Sequence, residues 1–381
     1  MKQPIVIIGS GFASYQLVKT IRRQDSQQAI TVITSDSGDD YAKPDLSHVF
    51  TKRQSAEELI KMSADEFAKH YDITLLTHRR VESIDRAQKT LCCDGESIAY
   101  GQLVLATGAK AFIPPIEGDA AERIITLNGL EEYRHAQAEL GKAKSVLVIG
   151  AGLIGTELAM DLASADRQVI LTDLAETLLP GLLPGFISSQ LFQSLGNQGV
   201  NIELGTQVER LQQDGERISV RLRNGQEYCV DTVICAAGLK PNVQLALRSD
   251  LKTHRGIVVD RKLRSSDPSI FALGDCAEIE GQLLPFLQPI LMSANALAKT
   301  LLGQASDVTL PPMMVKVKTP RLPIQLSGIT SHPDANWQMD ASGDGMTARA
   351  FDEQRKLIGF VVTGAHMKQA FSLLRELPPT L

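Results

Sequence analysis

Ser145-Val-Leu-Val-Ile149, Gly150-Ala-Gly152-Leu-Ile-Gly155, Thr156-Glu-Leu-Ala-Met-Asp-Leu-Ala163 and Val169-Ile-Leu-Thr172-Asp173 read in turn as a buried strand, a glycine-rich turn, a helix and a second strand ending on an acid. That order predicts one βαβ unit, the context that makes a glycine signature informative. Gly150 permits the tight turn, Gly152 lets backbone approach a pyrophosphate, and Gly155 lets helix and strand pack closely. The exposed amides at the helix start then hold the anion. Asp173, about 20 residues on, is spaced to accept from both ribose hydroxyls of a dinucleotide. A 2′-phosphate would meet that carboxylate as a like charge, and no Arg directly follows it, so the stretch favours NADH over NADPH. The competing reading of the stretch alone is a glycine-rich turn in some other α/β fold.

Outward from this unit, the N-terminus repeats the pattern with looser spelling. Pro4 to Ile8 reads as a strand, Gly9-Ser-Gly11-Phe-Ala-Ser14 as the turn, Tyr15 to Arg23 as a helix and Ile30 to Ile33 as the next strand. Ser14 stands where the third glycine belongs, and its small side chain still allows close packing. Asp36 is the first carboxylate after the second strand, because Thr34 and Ser35 occupy the strand end. Residues 39 to 48 read as a polar loop, 55 to 70 as an amphipathic helix, 73 to 76 and 80 to 84 as strands, and 89 to 98 as a hairpin around Asp94-Gly95. Two related strand ends follow, Leu103-Val-Leu-Ala-Thr107-Gly108 and Val233-Ile-Cys-Ala-Ala-Gly238, giving a duplicated design with one copy per domain. In Ser269 to Ala277 a strand delivers Asp275 after Gly274, where a polyol or phosphate chain can be hydrogen-bonded, and a helix runs from about Pro289 to Leu302. From Leu310 a separate small α/β unit is predicted. Its strands are Val315 to Leu326 and Met346 to Val362, with a turn at residues 343 to 345 and a helix from His366 to Leu377.

The 381 residues suit two or three domains, with 43 % hydrophobic and 22 % charged residues, ordinary for a globular protein. A net charge of −5 argues against nucleic acid as a general partner. No apolar run approaches the length of a membrane span, and Ile5 to Ile8 is too short for a signal peptide, so no membrane is expected and cytoplasm is the default. The five cysteines form no C-x-x-C pair, which indicates neither a disulfide framework nor a metal site. Cys92 and Cys93 read as part of a strand running into a turn rather than as a redox pair.

Taken together, Gly9-x-Gly11, Ala106-Thr107-Gly108, Gly150-x-Gly152-x-x-Gly155-x-Glu157, Ala237-Gly238-x-x-Pro241-Asn242 and Gly274-Asp275 resemble the FAD-dependent pyridine nucleotide-disulfide oxidoreductase superfamily over essentially the whole chain. Tyr41-x-Lys43-Pro44-x-Leu46-Ser47 and Val317-Lys318-Thr319-Pro320 resemble its rubredoxin reductase branch. Lys43 to His48, Ala272 to Glu278 and Leu284 to Pro289 are similar to the reductases that serve flavorubredoxin in bacterial nitric oxide detoxification. The resemblance implies an α/β fold with two Rossmann-like domains of the glutathione-reductase type. FAD would be held by residues 1–110 and 240–309, NADH by 111–239, and residues 310–381 would form a C-terminal partner-docking domain. It assigns Gly9, Gly11, Ser14, Asp36, Pro44, Val81, Thr107, Gly108, Gly238, Gly274 and Asp275 to cofactor binding. Asp36 is the candidate for the FAD ribose and Asp275 for the ribityl chain. It brings Lys43 and Lys318 to the isoalloxazine ring and Glu157 beside nicotinamide and flavin. The blander readings are surface lysines and, for Glu157, a first-turn acid favoured by the helix dipole.

The activity so implied is hydride transfer from NADH to FAD and single-electron transfer to the rubredoxin domain of a flavorubredoxin. The loop at Lys43 has no cysteine, so the disulfide chemistry of this fold is not expected. An acidic partner would dock on Lys316, Lys318 and Arg321, with Arg79 and Arg80 as weaker candidates. The alternatives are a ferredoxin reductase, an NADH oxidase, and an FAD- and NADH-sensing interaction protein.

Overall fold

The computed structural model describes residues 4–319, 321–332 and 334–381, so Pro320 of the Lys318-Thr319-Pro320 motif lies outside the described residues. In chain order the first unit contributes β1 (Ile5–Ile8), α1 (Phe12–Gln24), β2 (Ile30–Ile33), α2 (Val49–Lys52), α3 (Ala64–Tyr71), β3 (Thr74–Leu76) and β4 (Gln102–Leu105). An inserted unit follows with α4 (Leu130–Lys142), β5 (Ser145–Ile149), α5 (Leu153–Ser164), β6 (Gln168–Asp173), β7 (Val200–Leu204) and β8 (Thr232–Cys235). The chain then returns for β9 (Ile270–Ala272) and α6 (Leu287–Leu301). It ends in β10 (Val315–Val317), β11 (Ile324–Gly328), β12 (Asn336–Ser342), β13 (Gly345–Phe351), β14 (Leu357–Gly364) and α7 (Ala370–Glu376).

Two parallel sheets carry the design. The first has the order β9-β4-β1-β2-β3 and the second β7-β6-β5-β8, and strand for strand they share the arrangement around β1 and β5. Their central strands are buried along their whole length, as the unbroken apolar runs require of strands covered on both faces. The C-terminal strands form an antiparallel sheet in the order β10-β11-β14-β13-β12. Where the chain crosses into the inserted unit and back, Ala109–Ala111 pairs antiparallel with Leu239–Pro241.

Three local elements differ from the sequence expectation. Residues 55 to 70 do not form one helix: Glu57–Leu59 is a 3-10 turn, Ile60–Met62 a short strand, and only α3 is helical, begun by a Ser63–Glu66 capping box. The loop after Tyr41 is ordered as a 3-10 helix, Lys43–His48, that continues into α2. In the C-terminal unit the runs 315–326 and 346–362 each cover parts of two strands, and β12 pairs along β13 although its side chains are mostly exposed. All five cysteines are free. Among the described residues no helix is long and apolar enough to cross a membrane.

Candidate functional site

Ligand crevices of parallel sheets open beyond the carboxyl ends of the strands, and both glycine turns lie there. In the inserted unit Gly150 has φ +105°, and a Cβ on it would sit 2.5 Å from the Ala236 carbonyl oxygen at the end of β8. A Cβ on Gly155 would collide with the Gly150 carbonyl oxygen, whereas Gly152 faces open space. Helix α5 starts at Gly152 without a side-chain cap, leaving its first amides for an anion. Asp173 accepts from the Ala151 amide (2.6 Å) and the Ala175 amide (2.8 Å), so the same carboxylate fixes the glycine turn and still has lone pairs to offer. Gly238 has φ +109° and an open Cβ position.

The first unit repeats this construction. Gly9 has φ +110°, and a Cβ there would collide with the Ala106 carbonyl oxygen beyond β4, while Gly11 faces open space at the uncapped start of α1. Ser14 is fully buried, and its hydroxyl has no partner among the described residues. Gly274, with φ +84°, comes so near α1 that a Cβ would lie 2.7 Å from that of Ala13, which brings Asp275 to the helix start. Burial pushes the Asp275 carboxyl above its ordinary range, against the pull of the Lys43 ammonium. The register of β1 with β2 and of β5 with β6 makes Thr34 the counterpart of Asp173. Thr34 accepts from the Ser10 hydroxyl (2.9 Å), and Asp36 is exposed two residues further on. Thr107 donates its hydroxyl to the Asn242 carbonyl (2.8 Å), tying the two crossings together, and Gly108 has φ +64° with an open Cβ position. Val81 starts the antiparallel strand Val81–Asp85, partly buried against the core of the first unit. An uncapped helix start, an open Gly11, an orphan hydroxyl at Ser14 and a carboxyl at Asp275 are a donor and acceptor set that fits FAD.

All three units meet at a third place, and Glu157 is its centre. This carboxylate, on the first turns of α5 and only 4 % exposed, accepts from the Ser47 hydroxyl (2.9 Å) and from the Lys318 amide (3.2 Å). His48 Nε2 lies 3.8 Å from it. Burial first, then the Lys318 ammonium, pushes the His48 imidazole below its ordinary value, against the pull of Glu157 and Asp161. Lys318 donates its ammonium to the Pro44 carbonyl (3.3 Å). Lys43, behind this junction, donates to Asn128 Oδ1 (2.7 Å), and Asn128 in turn donates to the Ala109 carbonyl (2.8 Å). Burial lowers the Lys43 ammonium from its ordinary value, while Asp275 and Glu132 pull it back. A half-buried cation held this way stabilises negative charge that develops beside it.

The structure therefore gathers Lys43, Pro44, Glu157 and Lys318, brings Asp275 within electrostatic reach of Lys43, and leaves Asp36 exposed just beyond the carboxyl end of β2, where its amide donates to the Thr34 hydroxyl (3.2 Å). Asn128 and Asp161 take part without having been singled out from the sequence, and Ser47, which the Tyr41 to Ser47 motif included, had been given no role. The available signal for Asp161 was an acid one turn after Glu157 in an otherwise apolar helix; Asn128, in a connecting loop, left none. Of the docking candidates, Lys316, Lys318 and Arg321 are exposed, whereas Arg79 is engaged with Asp94 and Glu96 (2.6 Å each).

Comparison with known proteins agrees with this construction. The pyridine nucleotide-disulphide oxidoreductase model matches residues 3–299, and the rubredoxin binding C-terminal domain model matches residues 307–377. The chain is 50 % identical over 377 residues to the nitric oxide reductase FlRd-NAD(+) reductase of Vibrio vulnificus (strain CMCP6), covering 99 % of this chain and 98 % of that one. Its identity to the protein of the same name from Aliivibrio fischeri is 51 % over 380 residues, the whole of both chains. Among solved structures, a ferredoxin reductase from Rhodopseudomonas palustris superposes with a TM-score of 0.89 at 27 % identity, covering 98 % of this chain and 95 % of that one. Two glycine turns on two parallel sheets, one nested in the other and followed by an antiparallel C-terminal sheet, are thus the frame of a member of the pyridine nucleotide-disulphide oxidoreductase family.

Proposed function

We propose that the protein is an FAD-dependent reductase that oxidises NADH and delivers electrons singly to the rubredoxin domain of a flavorubredoxin, supporting nitric oxide reduction in the cytoplasm. The observation that carries this is the junction at Glu157, where one carboxylate of the inserted unit holds Ser47 of the first unit and the Lys318 backbone of the C-terminal unit. It provides one spot where a dinucleotide site, a second cofactor site and a docking surface adjoin. FAD, when bound, supplies the chemistry of accepting a hydride and releasing its electrons one at a time.

In this reading residues 1–110 and 240–309 bind FAD, 111–239 bind NADH and 310–381 dock the partner. Gly9, Gly11 and Ser14 cradle the FAD pyrophosphate, and Asp275 holds the ribityl chain. Val81, Thr107, Gly108 and Gly274 line the site, with Asp36 near the ribose. Gly150, Gly152, Gly155, Asp173 and Gly238 serve NADH. Lys43 and Lys318 offer positive charge at the ring system, and Glu157, with Pro44 and Ser47, orients the elements that carry it. Lys316, Lys318 and Arg321 meet an acidic partner.

The test is anaerobic stopped-flow reduction of an isolated rubredoxin domain by NADH with the FAD-loaded protein at catalytic concentration. Rapid bleaching of the iron chromophore that slows as salt is raised is expected. Prompt flavin reduction without transfer to the domain would overturn the acceptor and favour a ferredoxin or oxygen as electron sink.

A further inference from the structure

The segment from Lys43 to Leu59 belongs by sequence to the first unit, but its apolar side chains are buried elsewhere. Leu46, Val49, Phe50 and Leu59 share one core cluster with Leu158 of the inserted unit and Ile324 of the C-terminal sheet. Polar fastenings follow the same direction. From α4, the Tyr133 hydroxyl donates to the Gln54 carbonyl (2.6 Å), and Gln137 Oε1 accepts from the Ala56 amide (2.9 Å). From α5, Glu157 holds Ser47, and one turn later Asp161, 5 % exposed, accepts from the Phe50 amide (2.8 Å), the Thr51 amide (3.3 Å) and the Thr51 hydroxyl.

Helix α2 has no cap of its own, since His48 at its N-cap makes no side-chain cap bond. Asp161 provides that cap from a different unit. A buried carboxylate that accepts several donors is costly to remove, because its donors are left unpaired. Lys43 and Ser47 precede α2 directly on the same strap, so the setting of α2 fixes theirs.

We propose that Asp161 is a positioning residue for the hydride step: it pins the strap that carries Lys43 and Ser47 to the helix that begins at the dinucleotide turn. The inference rests on the function proposed above, in that Lys43 serves the flavin. Positioning of this kind acts on the rate of the chemical step rather than on NADH binding, because the Gly150 to Gly155 turn and Asp173 are untouched.

The experiment uses the FAD-loaded protein and NADH alone, without any rubredoxin domain. Asp161→Ala is expected to lower the limiting rate of flavin reduction on the order of tenfold or more, with the half-saturating NADH concentration unchanged. In the same sample, hydrogen exchange at the Phe50 and Thr51 amides should speed up. Asp161→Asn keeps an acceptor for the amides and should recover most of the rate. If Asp161→Ala does not fold, Thr51→Val removes one donor from the same contact and is read by the same two signals, with a smaller loss of rate expected. Faster exchange with an unchanged limiting rate would overturn the proposal, as would a loss confined to the half-saturating concentration. Failure to reduce a rubredoxin domain while flavin reduction responds as described would remove the proposed acceptor and leave this inference standing. Wild-type flavin that NADH does not reduce would overturn both.

Discussion

The two Rossmann-like units share a plan and differ at the carboxyl edges of their sheets, where ligands of such sheets bind. Both have a left-handed glycine, Gly9 and Gly150, pressed against the carbonyl oxygen beyond the neighbouring strand, and both have a second glycine facing open space. They part at the third position. Gly155 is jammed against the Gly150 carbonyl, whereas the first unit accommodates Ser14 with a buried and unpartnered hydroxyl. They part again at the end of the second strand, where the inserted unit has Asp173 and the first has Thr34. And among the described residues the first unit's parallel sheet has five strands to the second's four, the added β9 delivering Asp275. The same scaffold is thus specialised by a few contacts at the carboxyl edge of each sheet.

Exchanging these residues breaks the comparison most severely at the third glycine. Gly155→Ser, which copies the first unit into the second, is expected to cost about 3 kcal/mol or more, because backbone rather than a flexible side chain must yield. Chemical denaturation with NADH titration checks it, and a fully stable variant would show that α5 can shift as α1 does.

Next in size is Asp173→Ala. It should raise KM for NADH on the order of ten- to a hundredfold, the equivalent of about 1.5–3 kcal/mol of charged hydrogen bonding, and narrow the gap to NADPH. An unchanged KM would confine Asp173 to bracing the glycine turn.

Ser14→Ala is a smaller change. It should weaken FAD retention by about 1 kcal/mol, measured by flavin release, while leaving the FAD-free chain no less stable, since no protein hydrogen bond is lost. Equal flavin release would mean the hydroxyl has no role toward FAD.

The finest effect concerns Asp275 in the FAD-free chain. Burial raises its carboxyl in the folded state above the unfolded value, so its contribution is fully present below the unfolded value and is lost as pH rises through the folded one. Asp275→Asn is therefore expected to raise Tm at neutral pH, and the advantage should shrink toward about pH 4, where carboxylates protonate. Thermal melts at both pH values check the sign; a lower Tm at neutral pH would mean that attraction to Lys43 outweighs desolvation.

What could be read in the sequence follows from range. The βαβ units were legible because strand, turn and helix are consecutive, although the carbonyls that crowd Gly9 and Gly150, those of Ala106 and Ala236, lie far along the chain. The sheets' duplicated strand ends were legible for the same reason. Residues 55 to 70 misled because their apolar positions serve two partners: Leu59 packs toward the inserted unit and Phe67 toward the first, so one helical period could not describe both. Strand β12 has the alternation of a strand, Asn336-Trp-Gln-Met-Asp-Ala-Ser342, but its apolar positions are few and mostly exposed, so its pairing with β13 is what defines it. The Glu157 junction was legible only in its members. Their meeting depends on contacts spanning 110 and 161 residues of chain, which no local pattern encodes.

The course of the strap from Lys43 to Leu59 also bears on how this molecule can be taken apart. Excising the inserted unit at its paired crossings, Ala109–Ala111 and Leu239–Pro241, would leave both parallel sheets whole. The remainder would nevertheless strip Leu46, Val49, Phe50 and Leu59 of the cover that the inserted unit gives them and leave a sticky ribbon. A fragment made that way should aggregate unless the strap is redesigned with it, so the smallest separable module is larger than either sheet.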